Sequence, residues 1–277
     1  SVQRWADFSP MAQSKNQTGI LMIKIWTIIS KEWAEVFKNR LVLFTVAFLP
    51  IILTALPLVT MYFTSRYSGE MSDAMSAESM AFFGDMCQGL TEMQCTEIYT
   101  LNLYTLMFMI LPVAIPVTIA AYSIVGEKTS RSLEPLLATP ITTTELLVGK
   151  MIAACVPAVA VTWLAFLVYA IAARFMVSDV VFAEAMKPMW WLAIFAVSPL
   201  LTLLAVSVAV MVSSRVTDPR VAEQLSALVI LPLILLVVGQ SVGLILINEQ
   251  MLLWLGLIIA VADVVLVYLT IKLFQRE

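Results

Sequence analysis

Residues Leu103–Val125 read LYTLMFMILPVAIPVTIAAYSIV, an uncharged run long enough to cross a bilayer as one helix. Around it the composition is that of a membrane protein. Of the 277 residues 61% are hydrophobic and 13% charged, and mean hydropathy is +0.95, whereas a soluble domain carries about 25% charge. Five further runs qualify as spans: Leu41–Phe63, Met151–Ala173, Trp190–Val212, Leu225–Ile247 and Leu252–Ile271. None alternates with the period of a barrel strand, so helices are the way to satisfy their backbone in lipid. Five of the six runs contain proline (Pro50, Pro57, Pro112, Pro116, Pro157, Pro199, Pro232), which a bundle tolerates where neighbouring groups take up the freed carbonyls.

Basic residues set the expected orientation. With the N-terminus inside, thirteen lysines and arginines fall on the cytoplasmic side and only Arg66, Arg174 and Lys187 outside, a strong positive-inside bias that places both termini in the cytoplasm of a multi-pass protein of the cell membrane. Residues 1–19 are polar and are expected to form a flexible cytoplasmic N-terminus without a cleavable signal peptide. Position 1 is not methionine, which points to a native start at Met11, Met22 or upstream. In residues 20–40, Lys24, Thr27, Lys31, Glu35 and Lys38 recur at helical spacing opposite Met22, Trp26, Ile29, Trp33 and Phe37. That pattern predicts an amphipathic helix lying in the inner membrane interface. The expected fold class is therefore all-α, a polytopic membrane protein whose six-helix transmembrane domain, 41–277, is preceded by an amphipathic interfacial helix.

The composition also excludes. With no histidine, the chain has no histidine metal site and no Ser-His or Cys-His nucleophile pair. A net charge of −3 without a basic block gives no footing for nucleic acid. Gly149-Lys150 is followed by Met151 and lacks the earlier glycine of a phosphate loop, and no soluble stretch could house a nucleotide domain. The chain is expected to be neither an enzyme nor the holder of a cofactor.

Between the second and third spans runs EKTSRSLEPLLATPITTTELLVGK, residues 127–150. Pro135 suits the first turn of a short helix, Pro140 stops it and pushes Thr139 toward extended backbone, and Thr142 with Glu145 has capping-box spacing for a new helix. A short helix with Leu133, Leu136 and Leu137 on one side and Glu127, Lys128, Arg131 and Glu134 on the other suits docking into a partner's groove. Folding of the same loop against the bundle is equally compatible with this composition.

This segment resembles the signature of type-2 ABC transporter permeases. The resemblance rests on Glu127, Ser132, Leu133, Glu134, Leu136, Leu137, Pro140, Glu145, Gly149 and Lys150, with KEWAEVFKNR before the first span and LFQRE at the C-terminus as weaker matches. It covers residues 22–277, and SLEPLLATPI looks closest to the sodium-extrusion and drug-export branch. Arg131 departs from the glycine many members carry. The resemblance implies a permease subunit of an ATP-driven exporter, paired with a second permease copy or a homologous permease and with two ABC ATPase subunits that hold the ATP and magnesium. It implies that residues 132–140, Pro135 among them, form the coupling helix, that Glu127 and Glu134 are polar contacts to the ATPase, and that residues 20–40 form the family's connecting helix.

Three features bear on the pathway. Asp263 lies mid-way along the last span, where a carboxylate costs about 2.5–3.5 kcal/mol to insert. It could bind a cation, take a proton, or pair with a hydroxyl or amide. Gly239, Gln240, Ser241 and Gly243 near the outer end of the fifth span fit close helix packing or a break leading into short re-entrant helices over Gly239–Gln250. The outer segment Thr64–Asn102 is rich in methionine and holds Cys87 and Cys95, a candidate disulfide on the oxidising side. The competing function classes are an ion-coupled secondary carrier using Asp263, a membrane enzyme, and a non-transporting membrane anchor of an ATPase.

Overall fold

The computed structural model describes residues 10–67, 91–129, 142–242, 244 and 247–274. No strand occurs among them, and six helices are long and apolar enough to cross a membrane. The elements are α1 (Pro10–Lys38), α2 (Arg40–Tyr67), α3 (Glu92–Phe108), α4 (Leu111–Thr129), α5 (Thr143–Met176), α6 (Asp179–Ala185), α7 (Pro188–Leu192), α8 (Ser198–Arg215), α9 (Pro219–Ser226), α10 (Leu231–Ser241) and α11 (Glu249–Phe274). A π segment, Ala193–Val197, joins α7 to α8, and a 3₁₀ segment, Ala227–Ile230, joins α9 to α10.

The helix expected over 20–40 begins at Pro10, so residues 10–19 are helical where a flexible stretch is expected. The second span begins at Glu92 rather than Leu103, started by a capping box between Thr91 and Gln94. It is interrupted at Met109–Ile110. Pro112 has no N–H to give Phe108, and the chain tightens so that Met109 N–H reaches Leu106 O and Ile110 N–H reaches Met107 O, both at 3.0 Å. In the fourth span the π segment precedes Pro199. Its freed Ile194 carbonyl accepts Trp163 Nε1 of α5 at 3.0 Å and the Ser198 hydroxyl at 2.5 Å, which is how a bundle tolerates the proline.

The second span is the centre of the bundle. Within its apolar 18-residue stretch 78% of the residues are buried, against 17% in that of the fifth span, 22% in the sixth and 28% in the first. Helix α4 packs against α8, α5, α2 and α9, while α11 packs mainly against α8. Phe108, Phe166 and Tyr169 stack at the core of α3 and α5 with ring centroids 5.0–6.2 Å apart. Outlying α2, α10 and α11 leave a wide apolar surface, including Phe44, Phe48, Leu235 and Val264, as expected of helices whose solvent is lipid.

Helix α1 lies along α5, and its described side chains, from Met22 onward, sort into three faces. Ile28, Ile29, Glu32 and Val36 are buried against the bundle; Met22, Trp26 and Phe37 form an exposed apolar stripe; Thr27, Glu35 and Lys38 are exposed and polar. An apolar stripe beside a polar one on a docked helix is the pattern of an element lying in a membrane interface.

Candidate functional site

The site is assembled where α1 crosses the adjoining ends of α4 and α5, the two helix ends that flank residues 130–141. Gly149 makes the crossing close. A Cβ there would sit 2.9 Å from Ile28 Cγ2 and 3.1 Å from Ile28 Cβ, so only glycine lets α1 approach at this point. Trp33 fixes the register by donating its Nε1 to Ala153 O at 3.0 Å.

Within this crossing lies a buried charge network. Lys150 of α5 is 7% exposed and its Nζ meets Glu32 Oε1 of α1 at 2.6 Å, Glu127 Oε2 of α4 at 2.8 Å and Ser123 Oγ of α4 at 2.9 Å. Ser123 in turn donates to Glu32 Oε2 at 2.5 Å. Lys31 closes the ring on Glu127 Oε1 at 2.6 Å, with Glu35 one turn on at 3.6 Å. Glu32 and Glu127 are 2% and 4% exposed, so both need the partners they have. Partial burial works against the charge of Lys31, but its hydrogen bond to Glu127 and the surrounding carboxylates outweigh this and hold the ammonium above the ordinary lysine range. The carboxylates of Glu32, Glu35 and Glu127 approach within 4.8 Å, a spacing that could hold a cation. Here the ammonium groups of Lys150 and Lys31 already supply the positive charge.

Two outer contacts extend the clamp. Glu145 closes the capping box at the start of α5 with Thr142 and lies 3.6 Å from Lys24 of α1. Lys128, at the end of α4, donates to Ser214 O at 2.9 Å and Val216 O at 3.4 Å, tying α4 to the end of α8. One segment of chain is thus bounded on both sides by residues fastened to α1, α4, α5 and α8.

Glu127, expected from the resemblance as a polar contact to the ATPase, is 4% exposed and lies between Lys31 and Lys150 of this chain. Arg131, Ser132, Leu133, Glu134, Pro135, Leu136, Leu137 and Pro140 lie outside the described residues. Glu32 and Ser123 are not among the expected site residues, although position 32 has the same phase as buried Ile28 and Val36, and an acid in an apolar phase is a legible signal of a buried partner.

Elsewhere, Asp263 is 3% exposed and neither carboxylate oxygen has a hydrogen-bond partner among the described residues. Gly239 and Gln240 are buried at the end of α10, with Gln240 Oε1 unpartnered among the described residues. Ser241 bonds Val238 O, and its own carbonyl accepts from Tyr99 at 3.1 Å. The described part of Gly239–Gln250 holds no separate short helix: α10 ends with Leu244 N–H returning to Gly239 O at 2.8 Å, and α11 starts at Glu249. Gly243 lies outside the described residues. Cys95 is disulfide-bonded, Cys155 is free, and Cys87 lies outside the described residues.

A protein-family model described as ABC-2 family transporter protein matches residues 26–273. No curated protein matches the chain.

Proposed function

The chain belongs to the ABC-2 family of transporter proteins, and we propose that it is the membrane permease subunit of an ATP-driven exporter. Membership makes it a multi-pass membrane protein of a family that works with ABC ATPase subunits and is generally not catalytic itself. In the proposed complex two ATPase subunits hold ATP and magnesium on the cytoplasmic side, where both termini of this chain lie, and a second permease, identical or homologous, completes the pathway. Residues 132–140 act as the coupling helix.

The observation that carries this reading is the buried network of Lys150, Glu32, Glu127 and Lys31. It welds α1 to both helix ends flanking residues 130–141. A displacement applied to that connection is thereby shared at once by α1, α4 and α5, because breaking the network would strand buried charge. Such stiffness is what a device for passing force from a partner into a bundle requires. It exceeds what a simple membrane anchor would need.

The test is gentle purification of the tagged chain from its native membrane, in parallel with the double variant Glu134→Arg, Leu137→Asp. An ATPase bearing a phosphate loop is expected with the wild type and absent from the variant. Folded wild type recovered alone, under conditions that keep transporter complexes intact, would overturn the proposal. Asp263, buried with no hydrogen-bond partner among the described residues, would then favour an ion-coupled carrier.

A further inference from the structure

A cavity of about 150 Å³ opens between α2, α4 and the start of the fifth span. Its apolar walls include Leu49, Ile115 and Ile230, and its polar groups are Thr45, Thr118 and Glu223. Glu223 is half-buried on α9. Thr118 donates its hydroxyl to Glu223 Oε1 at 2.6 Å. Among the described residues Glu223 Oε2 accepts no hydrogen bond, and no lysine or arginine lies within ion-pairing distance of the carboxylate.

The position is unlike that of a loop carboxylate. Thr118 lies ten residues from Lys128, roughly 15 Å along α4 from the end that meets Val216. The other charged residues of this turn, Asp218 and Arg220, are exposed, and Asp218 caps α9. The 3₁₀ segment Ala227–Ile230, tightened ahead of Pro232 as Met109–Ile110 is ahead of Pro112, lines the same cavity.

We infer that this cavity binds an organic cation, an ammonium group carried on a small aryl or alkyl body, with Glu223 as its counter-charge. The inference rests on the permease reading and names the substrate class for it. A carboxylate in the apolar part of a bundle without a basic partner attracts a cation. The volume matches a cavity known to admit a benzene-sized guest. A concave apolar pocket with a few convergent polar groups is the usual form of a small-molecule site. A hard metal ion is a poorer match. It demands about six oxygen ligands, and here one carboxylate and two hydroxyls face otherwise apolar walls. Thr118 orients the carboxylate by holding one oxygen and leaving the other for the ligand.

The experiment measures equilibrium binding of radiolabelled benzyltrimethylammonium to the whole chain in lipid nanodiscs, without ATPase or nucleotide. Saturable binding is expected, weakened at least about tenfold in Glu223→Gln, the loss of one half-buried charge pair. Ala227→Leu, which fills the cavity and leaves the carboxylate in place, is expected to block binding as well. Elution volume and melting temperature establish that each variant is folded. Equal binding by folded Glu223→Gln, or by Ala227→Leu, would overturn the inference. So would Glu223-dependent binding of sodium with none of benzyltrimethylammonium. Because no partner takes part, this outcome is independent of whether an ATPase co-purifies, and the site and the permease reading can fail separately.

Discussion

Replacing Lys150 with methionine keeps the length of the side chain and removes the charge that two buried carboxylates share. Glu127 would retain Lys31 at 2.6 Å. Glu32, 2% exposed, would retain only the Ser123 hydroxyl at 2.5 Å and would face Glu127 across the vacated space. Removing one partner from a buried ion pair costs about 3–5 kcal/mol. The cost falls on the docked position of α1, because undocking lets Glu32 reach water. At about 1.4 kcal/mol per decade, undocking should become roughly 100- to 3,000-fold more frequent. Hydrogen exchange of the Ile28–Val36 amides in nanodiscs reads this directly, since exchange through local opening scales with the open population. Lys38→Met, at an exposed position of the same helix, serves as the control. Adding Glu32→Gln to Lys150→Met is expected to return much of the protection by removing the stranded charge. Exchange in Lys150→Met within about threefold of wild type, or equal to that of the Lys38 control, would refute the network as the clamp.

Gly149→Ala is expected to destabilise the docked α1 by about 1–3 kcal/mol, because the new methyl meets Ile28 at 2.9 Å; combining it with Ile28→Ala should cost less than the sum, measured by the same exchange, and strict additivity would refute the contact. Asp263→Asn should leave the melting temperature unchanged or raise it by about 2–4 °C, since neither carboxylate oxygen has a hydrogen-bond partner among the described residues; a fall of that size would reveal a partner. Unreduced, denatured chain should take up one maleimide, at Cys155, and three after reduction; more than one before reduction would refute the bridge. Cys95→Ser is expected to cost about 2–3 kcal/mol in thermal unfolding.

Span existence was legible because twenty apolar residues have few alternatives in water or lipid. Span ends were not. The second span gains a further eleven residues from a Thr91–Gln94 capping box, a signal readable locally but outweighed by the polarity of Glu92 and Glu97. The fifth span shows the same effect with more consequence. Asp218 and Pro219 start its helix six residues before the expected Leu225, and this carries Glu223 from an apparent loop to Thr118 inside the bundle. For the site, sequence patterning identified the chemistry-bearing segment but not what its ends touch. Glu127 lies 96 residues from Lys31 and Glu32 lies 118 from Lys150, and periodicity within one helix carries no information about partners so remote. In the sequence Gly149 and Lys150 read only as part of a motif. Only the close approach of Ile28 and the two carboxylates gives each a reason.

That same separation sets an order of events during synthesis. Glu32 emerges from the ribosome 118 residues before the lysine that neutralises it, a delay of roughly 6–24 s at 5–20 residues per second. Until α5 arrives, α1 has nowhere to bury its acid and must wait at the membrane surface, its apolar stripe in lipid and its Glu32 in water. A chain halted before Lys150 therefore lacks the lysine that Glu32 needs for burial, and synthesis of the third span is the step that lets α1 dock.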